Sequence, residues 1–358
     1  MRCLFPLLLV SALLLSGCQP EEDTRLYIYC TETFWYVLQE EANVFNRTHD
    51  FQIVLIPLRA ERNSGNTANV GNAAGILEIG TGRHAPIPWQ IMPIKEDDEE
   101  ETEVVPVAPS TQVHPDIVRQ IERISNEHFG DMFLSDSLSH LNKVRNTALS
   151  ANDFPICYLT LTMLVSLGNP HHVHSVKEVL DTGRRLGMMN PSFDGLGEAS
   201  WKVLERILPD GVSAIPGERI QLYERQYDLL EALEQGNIDA ALVWSAASQT
   251  TFLVVKYAHQ YFAAHEEAIR RAERRDDQKR RQSIIQAVYR EIHGDIAEKL
   301  RFAEEVPLTA NPDERQVVAI RLVALSSTSH HGRCQRFADF MRSHQGKAVL
   351  RRHGFAAE

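Results

Sequence analysis

The chain has 358 residues, 43% of them hydrophobic and 24% charged, which is enough for two lobes of ordinary size and excludes a wholly disordered polypeptide. Its formal net charge of −11 argues against nucleic acid as a partner, because neutralising phosphates needs clustered Lys and Arg. The same charge does not exclude a small anion, which a few oriented donors can hold locally.

Residues 2–17, "RCLFPLLLVSALLLSG", have a short basic start and then an apolar core of about a dozen residues. A membrane-spanning helix needs about 20, so the segment reads as a secretory signal peptide over 1–17. Leu15-Ser16-Gly17-Cys18 then has the form of a bacterial lipobox, with Cys18 as the acylated first residue and residues 18–25, "CQPEEDTR", as a lipidated tether. An uncleaved anchor helix or an ordinary signal peptide is the alternative. The expected location is periplasmic, or the extracytoplasmic face of the cell membrane. Beyond Cys18 only Cys30, Cys157 and Cys334 remain; three cannot all pair, their spacing is no zinc pattern, and they read as small buried residues.

Residues 26–30, "LYIYC", predict a buried strand. Residues 34–47 predict a helix with apolar positions at Phe34, Val37, Leu38, Ala42 and Phe45, and 52–56, "QIVLI", a second strand closed by Pro57. This is a parallel unit, whose ligand-facing edge lies at the strand C-terminus and the helix N-terminus. The turn Thr31-Glu32-Thr33 sits on that edge, although hydroxyls are also expected there as helix caps. Residues 60–115 are Gly/Asn-rich, then acidic and proline-rich ("KEDDEEETEVVPVAPSTQVHP"), with little to bury. They read as a disordered insertion whose acidic run is a solvated stretch rather than a calcium loop.

Residues 114–128 predict a helix with the stripe Ile117, Ile121 and Ile124, followed by a short strand in "GDMFLSDS" that ends in small polar residues. Residues 155–167, "PICYLTLTMLVSL", predict a long strand passing between lobes. A turn, a short helix, a strand, a polar turn at Asn190–Gly195 and a helix to Leu208 follow, and then a helix, a Gly-Asn turn and a strand ending at Trp244. Residues 257–305 predict a charged helical hairpin; acids interleaved through "RRAERRDDQKRRQ" disfavour a nucleic-acid arm. Residues 317–325 predict a strand and 333–352 an amphipathic helix. The histidines 171, 172 and 174 read as a solvated turn rather than a transition-metal site. With no Gly-x-Ser-x-Gly, His-Glu-x-x-His or dinucleotide fingerprint, neither catalysis nor a cofactor or metal is expected.

Five stretches in this order, "LYIYCTETFWYVLQEEANVFNR", "GDMFLSDSLSHLNKV", "LVSLGNPHHVHSVKEVL", "LLEALEQGNIDAALVW" and "RFADFMRSHQGKAVLRRHGF", resemble type II periplasmic solute-binding proteins. Among these they are most similar to the molybdate-binding proteins of ABC importers. The resemblance covers about half the chain. It implies an α/β fold of two lobes with mixed sheets and two crossover strands, near 153–160 and 245–255. Residues 26–152 would be the first part of lobe 1, 153–248 lobe 2, and 249–358 the return to lobe 1 carrying the helical insertion 257–305. It further implies a monomer that captures a molybdate- or tungstate-like oxyanion for ABC permease subunits. A surface module or sensor without a transport role is the alternative, as is another anion such as sulfate, phosphate or a carboxylate.

In that family neutral hydroxyls and main-chain amides hold the anion. Oriented N–H groups favour an anion without a counter-charge, and neutral donors leave it easier to release than a charged pair would. By the resemblance Thr33 takes the place of the family's first serine, with Thr31 as its alternative. The second serine site reads Pro57-Leu58-Arg59-Ala60 here; either Ser64, in Asn63-Ser64-Gly65, takes its role or Arg59 supplies charge instead. The third site is a helix start, where Asp194, Gly195 and Leu196 align. Trp244 stands where the family has a tyrosine and keeps one N–H donor.

Overall fold

The computed structural model describes residues 24–57, 113, 115–126, 130–146, 150–208, 217–274, 278–295, 299–308 and 313–357. The expectations for the signal peptide, for Cys18, for the insertion up to residue 112, and for Arg59 and Ser64 lie outside the described residues.

Strand β1 (Arg25–Cys30), helix α1 (Glu32–Phe45) and strand β2 (Gln52–Pro57) form the expected parallel unit, in register from Arg25↔Gln52 to Cys30↔Pro57. β1 is buried on both faces, as its uninterrupted apolar run requires. On one face α1 covers it with Phe34, Val37, Leu38 and Phe45, and Phe45 meets Phe337 edge-on at 5.3 Å. On the other, helix α2 (Pro115–Asn126) buries Ile117, Ile121 and Ile124 with Phe133 and Val323. Strand β3 (Met132–Ser135) pairs parallel with β1, and the late strand β9 (Val317–Leu325) pairs antiparallel with β3.

Strand β4 (Ser150–Ser166) belongs to both lobes. Its 17 residues span roughly 55 Å at strand rise. Residues Ser150–Thr160 pair with β9 in the first sheet. Leu161–Ser166 pair with β7 (Ala240–Trp244) and β8 (Ala303–Pro307) in the second. The register slips between Pro155 and Cys157, where proline has no N–H to give the ladder. The second sheet continues from β7 to β5 (Leu186–Met189) and β6 (Ile220–Tyr223), all parallel. Helices α5 (Gly195–Ile207) and α6 (Gln226–Glu234) pack against it.

Two expectations need correction. Residues 245–255 are not a crossover strand: they open helix α7 (Ser245–Arg274), which forms a hairpin with α8 (Gln278–Asp295). Ser245, at φ 28°, turns the chain directly out of β7. The chain instead passes back between β8 and β9, where Leu161 N–H bonds Gln316 C=O at 2.9 Å. The terminal helix is also two helices, α9 (His331–Arg342) and α10 (His344–Arg352). Extended Ser343 separates them and caps the second, its hydroxyl accepting from Gly346 N–H. Gly346 lies so close to the preceding turn that a Cβ would stand 2.5 Å from Phe340 O. Cys30, Cys157 and Cys334 are all buried. Among the described residues no helix is long and apolar enough to cross a membrane.

Candidate solute-binding site

The site starts from strand register. Cys30 pairs with Leu134, so β1 and β3 end at the same edge of the first sheet. Their following turns therefore meet although about a hundred residues separate them. Thr31 takes the extended N-cap conformation of α1, yet its hydroxyl does not cap the helix. It donates to Asp136 Oδ1 at 3.1 Å, and Thr33, in the first turn of α1, donates to Asp136 Oδ2 at 2.9 Å.

Asp136 is 2% exposed and sits between β3 and helix α3 (Leu138–Asn146). The turn around it is built from hydroxyls: Ser137 Oγ accepts from His140 N–H at 3.0 Å, and Ser135 Oγ accepts from Ser137 N–H at 3.0 Å. His140 lies behind this turn with Nδ1 3.3 Å from Ser135 Oγ. Burial lowers its pKa to about 4, so the imidazole there is neutral at physiological pH.

The second lobe closes the site from three directions. Trp244, wholly buried, ends β7 opposite Leu161, at the point where β4 passes from one sheet to the other. Its indole N–H donates to Asp136 Oδ2 at 2.8 Å. Gln226, the first residue of α6, donates through Nε2 to Thr33 Oγ at 2.8 Å. The start of α5 lies directly on the Asp136 turn: a Cβ on Gly195 would stand 2.0 Å from Asp136 O and 2.6 Å from Ser137 N. Only glycine permits that approach. One turn on, Glu198 accepts from Ser137 Oγ across the junction. Burial pushes the Glu198 carboxyl above its ordinary value, while hydrogen bonds from Ser137 and Ser139 and the charge of Lys202 oppose the rise.

Of the residues expected from the sequence, Thr31, Thr33 and Trp244 are brought onto one carboxylate. Asp194 points its carboxylate at its own helix, accepting from Gly197 N–H at 2.8 Å as an N-cap. Gly195 and Leu196 are both buried at the helix start, Gly195 against the Asp136 turn and Leu196 in the hydrophobic core. Four residues of the arrangement were not anticipated: Asp136, Ser137, Glu198 and Gln226. The strand-end turn "SDS" carried the signal for the first two, since a strand parallel to β1 must end at the same edge. The starts of α1 and α5 lie beside Asp136, α1 through the Thr31 and Thr33 hydroxyls on its carboxylate and α5 through Gly195 against its backbone. An open polar groove of about 500 Å³, lined by Arg185, Gln221, Tyr223, Asp228 and Glu231 among others, contains none of these residues.

Two α/β lobes sharing a strand, with donors from both meeting at the junction, define a two-lobed binding protein of type II. Similarity to solved structures supports that fold. The periplasmic molybdate-binding protein of Azotobacter vinelandii superposes with a TM-score of 0.52 at 14% identity, over 93% of this chain and 99% of that one. Iron-bound HitA from Pseudomonas aeruginosa gives 0.52 at 12% identity, over 91% and 84%. The sulfate-binding protein SubI from Mycobacterium tuberculosis gives 0.51 at 10%, over 92% and 86%. Compared by sequence with curated proteins, the chain matches none. Residues 91–356 match the family described as bacterial extracellular solute-binding protein, and the chain belongs to that family.

Proposed function

We propose that this protein captures a small oxyanion of the molybdate, tungstate or sulfate type between its lobes and delivers it to an ABC permease. Acylated Cys18 would hold it at the extracytoplasmic face of the membrane. One observation carries the reading: neutral donors from both lobes, the Thr31 and Thr33 hydroxyls and the Trp244 indole, converge on the two oxygens of a single carboxylate. That is the donor arrangement an oxyanion requires, and its neutrality suits a receptor that must let go of its solute. The Gly195 and Leu196 amides would add the dipole of α5, with Asp194 as that helix's cap. Arg59 or Ser64 would supply a further donor from the turn after β2.

Calorimetry of the purified chain against molybdate, tungstate, sulfate and phosphate tests the reading. One-to-one binding of at least one of them is expected, and Arg59→Ala and Ser64→Ala then separate the two candidates for the remaining donor. Binding of none of the four, by the wild type or by an Asp136 variant, would refute it and favour a surface module or sensor. Genes for a permease and an ATPase beside this one would be the mark of transport.

A further inference from the structure

The donors proposed for the solute already have an acceptor, and it is part of the chain. Asp136 Oδ2 takes the Thr33 hydroxyl at 2.9 Å and the Trp244 indole at 2.8 Å, and Oδ1 takes the Thr31 hydroxyl at 3.1 Å. The α5 start, which would present its amides to an anion, rests on the Asp136 backbone closely enough that a methyl group cannot fit between them. We propose that Asp136 is an internal anion that competes with the solute: its carboxylate holds the positions of the solute's oxygens, so an oxyanion binds only when Asp136 gives them up. The inference rests on the oxyanion reading for what is displaced, but not for the closing role of Asp136.

Three physical consequences follow. Two carboxylate oxygens and an incoming oxyanion cannot share one set of donors, because each hydroxyl or indole has a single hydrogen to give. Like charges side by side in a buried site repel strongly, so the solute cannot simply add to Asp136. Apparent affinity is then reduced by the fraction of molecules in which Asp136 is withdrawn. The Trp244 bond also ties the second lobe to the first, so Asp136 contributes to lobe closure by itself, as a solute would.

The test uses the purified full chain, Asp136→Ala and Asp136→Asn, with molybdate and sulfate as probes. Two readouts are taken: affinity by calorimetry, and radius of gyration by small-angle scattering with and without the anion. If Asp136 holds the donors in nine molecules of ten, the alanine variant should bind about tenfold more tightly than the wild type. Without anion that variant should be more expanded than the wild type, and it should contract when anion is added. Asp136→Asn, which keeps the side-chain size, should shift both readouts in the same direction and serves if the alanine variant does not fold. Affinity equal to or weaker than that of the wild type overturns the competition while leaving the oxyanion reading in place. If neither chain binds either anion yet the variants expand, the oxyanion reading falls and the closing role of Asp136 stands. If neither binds and the dimensions are unchanged, both fall.

Discussion

Gly195→Ala tests whether the contact between α5 and the Asp136 turn is a movable junction or part of a fixed core. The added Cβ would lie 2.0 Å from Asp136 O, 2.2 Å from Asp136 C and 2.6 Å from Ser137 N. All three are backbone atoms of the opposite lobe, so no side-chain rotation relieves the clash. Ordinary carbon contacts are about 3.5–4.0 Å, so the two backbones must part by about 1.5 Å. Alanine is otherwise welcome at a helix position, by up to about 1 kcal/mol over glycine. If the junction opens, the Trp244–Asp136 and Ser137–Glu198 bonds exchange for water, at a net cost near 1 kcal/mol each. The helix preference offsets part of that cost. The expected result is a loss of about 1–2 kcal/mol by urea denaturation together with a larger radius of gyration by small-angle scattering. Gly332→Ala, where nothing lies within 4 Å of an added Cβ, is the control and should change neither dimension nor cooperativity. A loss beyond about 3 kcal/mol without expansion would mean overpacking of a rigid core, and the two-lobed reasoning would be wrong. Unchanged stability and scattering would mean that α5 does not rest on Asp136 at all.

Thr31→Val removes one buried donor to Asp136 with little change of shape and should cost about 1–2 kcal/mol in urea denaturation; a cost below a few tenths would show that the bond is not formed in solution. For Glu198 the sign follows from its raised pKa: the folded state holds the proton more tightly than the unfolded one, so the group's contribution is fully present below about pH 4.5 and lost as pH rises through the higher folded value. Glu198→Gln should therefore match the wild type in melting temperature near pH 4.5 and exceed it increasingly toward pH 7.5, whereas a pH-independent difference would exclude the linkage. Cys18→Ser should move the protein from the membrane to the soluble fraction, and unchanged retention would count against acylation there.

Much of the fold was legible because local pattern and tertiary environment agree. The apolar runs at 26–30, 52–56 and 317–325 became β1, β2 and β9, and the Ile117, Ile121 and Ile124 stripe became the buried face of α2. Residues 245–255 misled because the crossover there was taken from the resemblance and not from the chain's own pattern. Packing makes them a helix: Phe252 and Leu253 are buried from it, with the Phe252 ring 5.0 Å from Tyr227 and 5.4 Å from Phe302. The break at Ser343 was invisible because the amphipathic pattern continues across it, and only the close approach of Gly346 to Phe340 forces the chain to restart.

The site divides along the same line. Thr31 and Thr33 were legible as residues of a strand-end turn, and Trp244 through the resemblance alone. Asp136 was not, because in sequence an acid between two serines before a helix reads as a cap. Its meaning comes only from the β1–β3 pairing. Once that pairing is known, the hydrogens of the site can be followed one by one. Trp244 has only a donor to offer. Gln226 gives its amide hydrogen to Thr33 Oγ, which leaves the Thr33 hydrogen directed at Asp136. Thr31 points the same way. All three hydrogens are directed at the Asp136 carboxylate, an arrangement that suits a hydrogen-bond acceptor at this point. In the oxyanion proposal these three donors would turn to the solute, and the acid they now hold would set how readily it enters.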